Sequence, residues 1–369
     1  MSSNMTDKQV AVVAVGAAVG AVAIGYTFMK RDGFREKPRT FDLGGGGGAA
    51  YKEKDVNQHW NNYDSYFTQK AGEGVVSGDK TQAPTYVDTF YNLVTDIYEW
   101  GWGQSFHFSP AITGMSHTQA ECVHEYNIAD AIKGKPGMKL LDVGCGVGGP
   151  LRRVAKHSGS HVTGITINEY QVKRARAHNE RAGLADKTTV VQGNFLEMPF
   201  ADNTFDGVYS IEATCHAPTV EEVYRECFRV LKPGGLYATY EWVTTPLYDP
   251  ANTEHVRIID SINHGNALPD MRTYKQVVEA AQRAGFQVVE DRDVALPPAE
   301  PWWTRLVMGR FQYLLNSAAV NFSTFIGIAP KGTKEVHDML VNVAVSLSEG
   351  GETGIFSPMH LLVLRKPAN

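Results

Sequence analysis

The segment Tyr98-Glu-Trp-Gly-Trp-Gly-Gln-Ser-Phe-His-Phe108 packs five aromatic residues, one carboxylate and one imidazole into eleven positions. An aromatic face attracts a cation by about 0.5–2 kcal/mol, the upper end applying where water is excluded. A wall of Tyr98, Trp100, Trp102, Phe106 and Phe108 therefore suits an apolar molecule that becomes cationic as it reacts. The plainer reading is an aromatic plug that packs the N-terminal region onto the rest of the fold. Glu99 and His107 lie in the same segment, and Glu212 and His216 lie in Tyr209-Ser-Ile-Glu-Ala-Thr-Cys-His-Ala-Pro218. Each of the four is able to take a proton or balance a positive charge. Each also has a structural reading: Glu99 paired with a basic neighbour, His107 and His216 as satisfied core histidines. Glu241, inside an apolar strand pattern, is a further carboxylate that could face the site.

A second constellation is Leu140-Leu-Asp-Val-Gly-Cys-Gly-Val-Gly-Gly-Pro150, between an apolar strand and a helix. Gly144, Gly146, Gly148 and Gly149 allow a sharp turn and close approach of backbone to a ligand. The spacing of Gly144, Gly146 and Gly149 also satisfies the dinucleotide fingerprint. Two features point elsewhere. Asp142 precedes the first glycine, where it can reach the charged amino acid group of a ligand. The second strand ends on Thr166, where nicotinamide-dinucleotide proteins place an acidic residue. Cys145 reads as a small residue in a tight loop.

The elements that must position these groups have a βα rhythm. Helices are expected over 57–70, an aromatic and polar stretch, over 85–100, where Val87, Phe90, Tyr91, Val94, Ile97 and Tyr98 recur at helical spacing, and over 114–131. Strands are then expected at 139–143, 162–167, 188–192, 205–211, 236–243 and 286–291, with helices between most of them. Such alternation implies an α/β fold with a parallel sheet, whose ligands bind beyond the carboxyl ends of the strands. With 369 residues, 43% hydrophobic and 20% charged, the chain is largely globular. A net charge of -5 argues against a nucleic-acid partner, which needs a basic surface. The four cysteines form no CxxC pair, and His255 and His264 lack a third residue at metal spacing, so no metal is expected.

The N-terminus differs. Val10 to Met29 is uncharged, and Lys30, Arg31, Arg35, Lys37 and Arg39 come directly after it. Its length matches the hydrocarbon thickness of a bilayer, and the basic flank places the chain beyond Lys30 in the cytosol. Gly16 and Gly20 make a GxxxG match, which leaves a homo-oligomer open. The expected organisation begins with a short non-cytosolic tail (1–9), a transmembrane helix (10–29) and a basic, Gly-rich linker (30–50). It continues with an N-terminal substrate-cap region (51–132), a cofactor domain (133–298) and a C-terminal domain (299–369).

The loop at 140–149, together with Gln192-Gly-Asn-Phe-Leu-Glu-Met-Pro-Phe200 and Leu231-Lys-Pro-Gly-Gly235, resembles the motifs of class I S-adenosylmethionine-dependent methyltransferases. The resemblance implies a Rossmann-like sheet and S-adenosylmethionine as co-substrate. It implies cofactor contacts from Asp142, Gly144, Cys145, Gly146, Gly148, Gly149, Asn194 and Phe195. Thr166 departs from the acidic residue common in that class, and Asn168 or Gln171 would substitute. The segments 98–108 and 209–218, and the part beginning near Pro301-Trp-Trp303, resemble sterol 24-C-methyltransferases. This implies methyl transfer to C24 of a Δ24-sterol side chain through a C25 cation, a hydride shift and deprotonation. The same resemblance implies a sterol-binding wall of Trp100, Trp102, Phe106 and Phe108. Tyr98, Glu99, His107, Glu212 and His216 become its catalytic candidates. A location in the endoplasmic reticulum membrane is implied likewise. Trp302 and Trp303 read as a hydrophobic lid or membrane-facing patch. The competing readings are a cyclopropane-fatty-acid-like or tocopherol-like carbon methyltransferase and a non-catalytic binding protein. Whether the acceptor takes its first or second methyl group is left open.

Overall fold

A computed structural model describes residues 56–68, 82–295, 301–306, 310–326 and 332–368. The expected membrane helix at 10–29 and the Gly-rich linker lie outside the described residues. Among the described residues no helix is long and apolar enough to cross a membrane.

Three helices come first: α1 (Val56–Thr68), α2 (Ala83–Gly101) and α3 (His117–Ala131). Ser116 starts α3 by accepting the Gln119 N–H, while the Gln119 side chain accepts the Ser116 N–H. The alternating part is β1 (Lys139–Val143), α4 (Gly149–Ser158), β2 (His161–Thr166), α5 (Glu169–Arg181), β3 (Thr188–Gln192) and β4 (Phe205–Ile211). It continues with α6 (Val220–Val230), β5 (Leu231–Thr244), α7 (Thr253–Gly265), β6 (Arg272–Thr273), α8 (Tyr274–Arg283) and β7 (Gln287–Asp293). After a short 3-10 turn at Trp302–Leu306 come α9 (Arg310–Phe325), α10 (Thr333–Glu352) and β8 (Phe356–Arg365).

The sheet runs β3-β2-β1-β4-β5-β8-β7, with β6 paired to β5. The first five strands of that order are parallel, as right-handed βα repeats require. β8 is antiparallel to both neighbours. The end of the C-terminal region is a strand inside the same sheet. The reason is physical. Leu361 to Leu364 is an unbroken apolar run, buried throughout, and such a run is stable only where both sheet faces are covered.

One face of the sheet is covered by α6 and α8, the other by α3 and α4. A third apolar cluster joins Phe108 and Trp242 to Ile258, Trp302, Val343 and Phe356. Trp302 is 6% exposed, which corrects the membrane-facing reading of that residue. A fourth joins Tyr63, Tyr86 and Phe90 of the N-terminal helices to Val336 and Met339 of α10.

Gly149, the first residue of α4, fixes how the aromatic segment meets the glycine loop. A Cβ there would strike the Gln104 carbonyl oxygen and lie 2.5 Å from Ser105 Oγ. Backbone thus sits on backbone at this point, and only glycine permits it. Gly149→Ala is expected to cost about 1–3 kcal/mol, the usual range for overpacking. Denaturant unfolding measures it, and unchanged stability would mean that this seat is not formed.

Candidate active site

A cavity opens beyond the carboxyl ends of β1, β2 and β4. Its wall includes Gly144, Cys145 and Gly146, Thr166 and Gln171, and Asn194 and Phe195. It also includes Phe106 and His107, Glu212 and His216, and Tyr91 from α2. Eleven of the residues singled out in the sequence therefore meet in one space, and Tyr91 joins them.

The glycine-loop part of the wall is shaped for close approach of a ligand. Gly144 and Gly146 have φ of +83° and +52°, which turns the loop around the cavity. A Cβ on Gly144 would strike Ala213, so nothing larger than glycine fits. Asp142 sits behind this loop at 2% exposure, beside the Tyr209 hydroxyl. Burial pushes its carboxyl up to about 7, although a hydrogen bond from Tyr209 favours the charged form. Thr166 donates to Gln171 Oε1 at 2.9 Å, so the two form one polar wall. Asn168 does not line the cavity. Its side chain caps α5 and donates to Asp88 and Asn92 of α2, at 2.8 and 2.7 Å. Gly148 and Gly149 also lie off the wall; Gly148, at φ +77°, takes the left-handed turn that precedes α4.

Around the aromatic segment the wall is organised by Glu212. Its backbone has φ +53°, unusual for a residue with a side chain, and places the carboxylate against the aromatic segment. The Phe108 N–H donates to Oε1 and the Trp242 indole N–H to Oε2, both at 2.8 Å. Burial pushes this carboxyl up to about 7, although His107 and the two donors favour its charged form.

His107 is the neighbouring cation. Its Nδ1 faces the Phe108 carbonyl at 2.6 Å and its Nε2 faces Glu125 at 2.9 Å. Both partners accept, so both ring nitrogens carry protons. Burial alone would lower the imidazole's pKa, but Glu125 outweighs it and raises it to about 9. Glu125 is held in turn by Ser105 at 2.7 Å and Arg153 at 3.0 Å. His107, His124 and Glu212 offer ligand atoms within 4.8 Å of one another. They make a poor metal site, because an imidazolium with both nitrogens donating has no lone pair to give.

His216 is the opposite case. Its Nε2 lies 2.8 Å from the Tyr91 hydroxyl and its Nδ1 3.2 Å from the Ala267 carbonyl. Burial lowers its pKa to about 4, so the ring is neutral.

Gln104 of the aromatic segment also lines the cavity, whereas Tyr98, Glu99, Trp102 and Phe108 do not. Glu99 binds Arg174 at 2.6 Å and His178 at 2.7 Å. Tyr98 packs edge-on against Phe106, 5.4 Å between centroids. Trp102 lies under Arg305 at 3.5 Å, and Phe108 packs on Trp302 at 4.7 Å. The Trp100 side chain lies outside the described part of the structure. Glu241 accepts from Thr214, Tyr224 and Thr239 and stays off the wall. Sequence reasoning missed Tyr91, Glu125 and Arg153. Tyr91 carries the period of an apolar helix face and reads as core, while nothing local marks the other two.

Residues 141–239 match the Methyltransferase domain family model, and residues 303–368 match the Sterol methyltransferase C-terminal model. The chain is 55% identical to 24-methylenesterol C-methyltransferase 2 of Oryza sativa subsp. japonica, over 97% of this chain and 99% of that one. It is 56% identical to 24-methylenesterol C-methyltransferase 2 of Arabidopsis thaliana, over 90% of each. Among solved structures, a mycolic acid cyclopropane synthase complexed with SAH and CTAB superposes with a TM-score of 0.58 at 17% identity, covering 85% of this chain and 97% of that one. That likeness shows a common fold.

The His107 proton has a consequence for stability. Its pKa is raised on folding to about 9. The contribution is therefore complete below the unfolded value, about 6.5, and is lost as pH rises through about 9. Unfolding midpoints of the wild type should fall between those limits, and His107→Gln should remove that part of the fall. Parallel curves for the two proteins would contradict it.

Proposed function

The chain belongs to the S-adenosylmethionine-dependent sterol C-methyltransferases, and on that premise we propose that its acceptor is a 24-methylenesterol. The relatives at 55 and 56% identity support this acceptor, since both are named for it. The observation that carries the chemistry is Glu212: a carboxylate on the wall of a largely apolar cavity that also meets the glycine loop.

Bound S-adenosylmethionine supplies a methyl group already activated by its sulfonium, so the protein's task is alignment and charge. We assign the Gly144–Gly146 loop and Asp142 to its amino acid part, and Thr166, Gln171, Asn194 and Phe195 to its nucleoside. Such placement turns a bimolecular encounter into an oriented one. When C28 of the acceptor has gained the methyl group, positive charge rests on C24. Glu212, Phe106 and the nearby rings would face that charge across a mostly apolar wall, where fixed charges act more strongly than in water. Loss of a proton from C28 then gives a 24-ethylidene sterol. A Δ24-sterol would use the same wall with the cation at C25, a hydride shift from C24, and a 24-methylene product. A sterol resides in bilayers, and we place the enzyme there through the Val10–Met29 run, with the sheet on the cytosolic side.

Full-length protein in bilayers, given methyl-labelled S-adenosylmethionine and either acceptor, tests the reading. Label in a 24-ethylidene sterol is the expected result. Label only in a 24-methylene product from the Δ24-sterol would reassign the chain to the first methylation, and no transfer to any sterol would overturn the reading. Glu212→Gln is expected to lower kcat by about 10²-fold or more while S-adenosylhomocysteine binds as before.

A further inference from the structure

We propose that Tyr91 and His216 together are the base that ends the reaction: Tyr91 Oη takes the proton from the carbon beside the cation while Tyr91's own proton passes to His216 Nε2. This rests on the cation chemistry proposed above. The C–H electron pair becomes the new double bond, the phenol is regenerated, and the imidazole becomes an imidazolium. Nothing is oxidised or reduced, and the proton later leaves to solvent.

Three observations lead there. First, both residues line the same cavity as Glu212 and Phe106. Second, the hydrogen bonds fix the tautomer. The Ala267 carbonyl can only accept, so His216 Nδ1 carries the proton, and Nε2 holds a lone pair. That lone pair meets the Tyr91 hydroxyl at 2.8 Å. Tyr91 therefore donates its one hydrogen to His216, and its oxygen keeps lone pairs for a proton arriving from the cavity. Third, the other basic groups on the wall are committed. His107 already carries both protons, and each oxygen of Glu212 holds an N–H donor beside that imidazolium. Burial keeps His216 neutral at ordinary pH, so its Nε2 is open. The C–H beside a carbocation is strongly acidic, and a weak neutral base is sufficient to remove it.

The test compares wild type, Tyr91→Phe, His216→Gln and Glu212→Gln in the labelled-methyl assay with a 24-methylenesterol, resolving every labelled product. S-adenosylhomocysteine affinity is measured for each as a check on folding. Glutamine at 216 still accepts the Tyr91 hydroxyl but cannot take its proton. Both dyad variants are expected to form the 24-ethylidene sterol about 10²-fold more slowly or worse. The remaining label should move into isomeric alkenes or a C24 alcohol formed by water. Wild-type product and rate in either dyad variant that still binds S-adenosylhomocysteine would overturn the proposal. So would a product shift seen only in Glu212→Gln, which would make Glu212 the base. If Tyr91→Phe no longer binds S-adenosylhomocysteine, His216→Gln decides alone. If the wild type itself methylates no sterol, it is the underlying reading that has failed.

Discussion

A carboxylate held inside an apolar cavity is the constraint on which the rest of the site depends. Taking a carboxylate out of water costs several kcal/mol, and it stays charged only where donors and a counter-charge replace the lost water. Glu212 has both. Phe108 and Trp242 each donate an N–H at 2.8 Å, and the His107 ring lies within 4.8 Å. The donors come from different parts of the chain: the aromatic segment and β5. Their positions are secured in turn by the C-terminal region. Trp302 packs on Phe108, and β8 pairs with the strand that carries Trp242. A region that looks like an appendage therefore sets the hydrogen bonds of the site.

The aromatic segment has two jobs. Phe106 and His107 face the cavity, and most of its other described side chains act as a strap. Trp102 is clamped by Arg305, which also binds Glu121 at 2.9 Å. Glu99 reaches Arg174 and His178 on α5, while Gln104 meets Arg152 on α4. The backbone of Gln104 rests on Gly149. The aromatic segment and the helix that follows the cofactor loop thus pack as one unit.

Much of this was legible in the sequence. Strands β1 to β5 announce themselves by apolar runs set between helical patterns, and Gly144 to Gly149 mark the crossover where the co-substrate belongs. β8 was not legible, because a short apolar run near a chain end has the same composition in a strand as in a buried helix. Asn168 has the chemistry of a ribose contact, but its position before α5 is that of an N-cap, and capping prevails. The buried face of α3 carries Glu121, His124 and Glu125, which erases the apolar stripe by which such a face is normally found. Tyr91 was hidden the other way: its spacing is that of core, and only the fold brings His216 to its hydroxyl.

The charge on Glu212 is tested most directly by binding rather than by turnover. Two sterols of the same shape would be compared, one with an ammonium in the side chain where the cation forms and one with a neutral carbon there. Affinities are measured with S-adenosylhomocysteine bound, in wild type and in Glu212→Gln. The wild type is expected to prefer the ammonium by about tenfold or more, as an analogue of the charged intermediate should be preferred, and the variant is expected to lose that preference. An equal preference in both proteins would contradict the role given to Glu212.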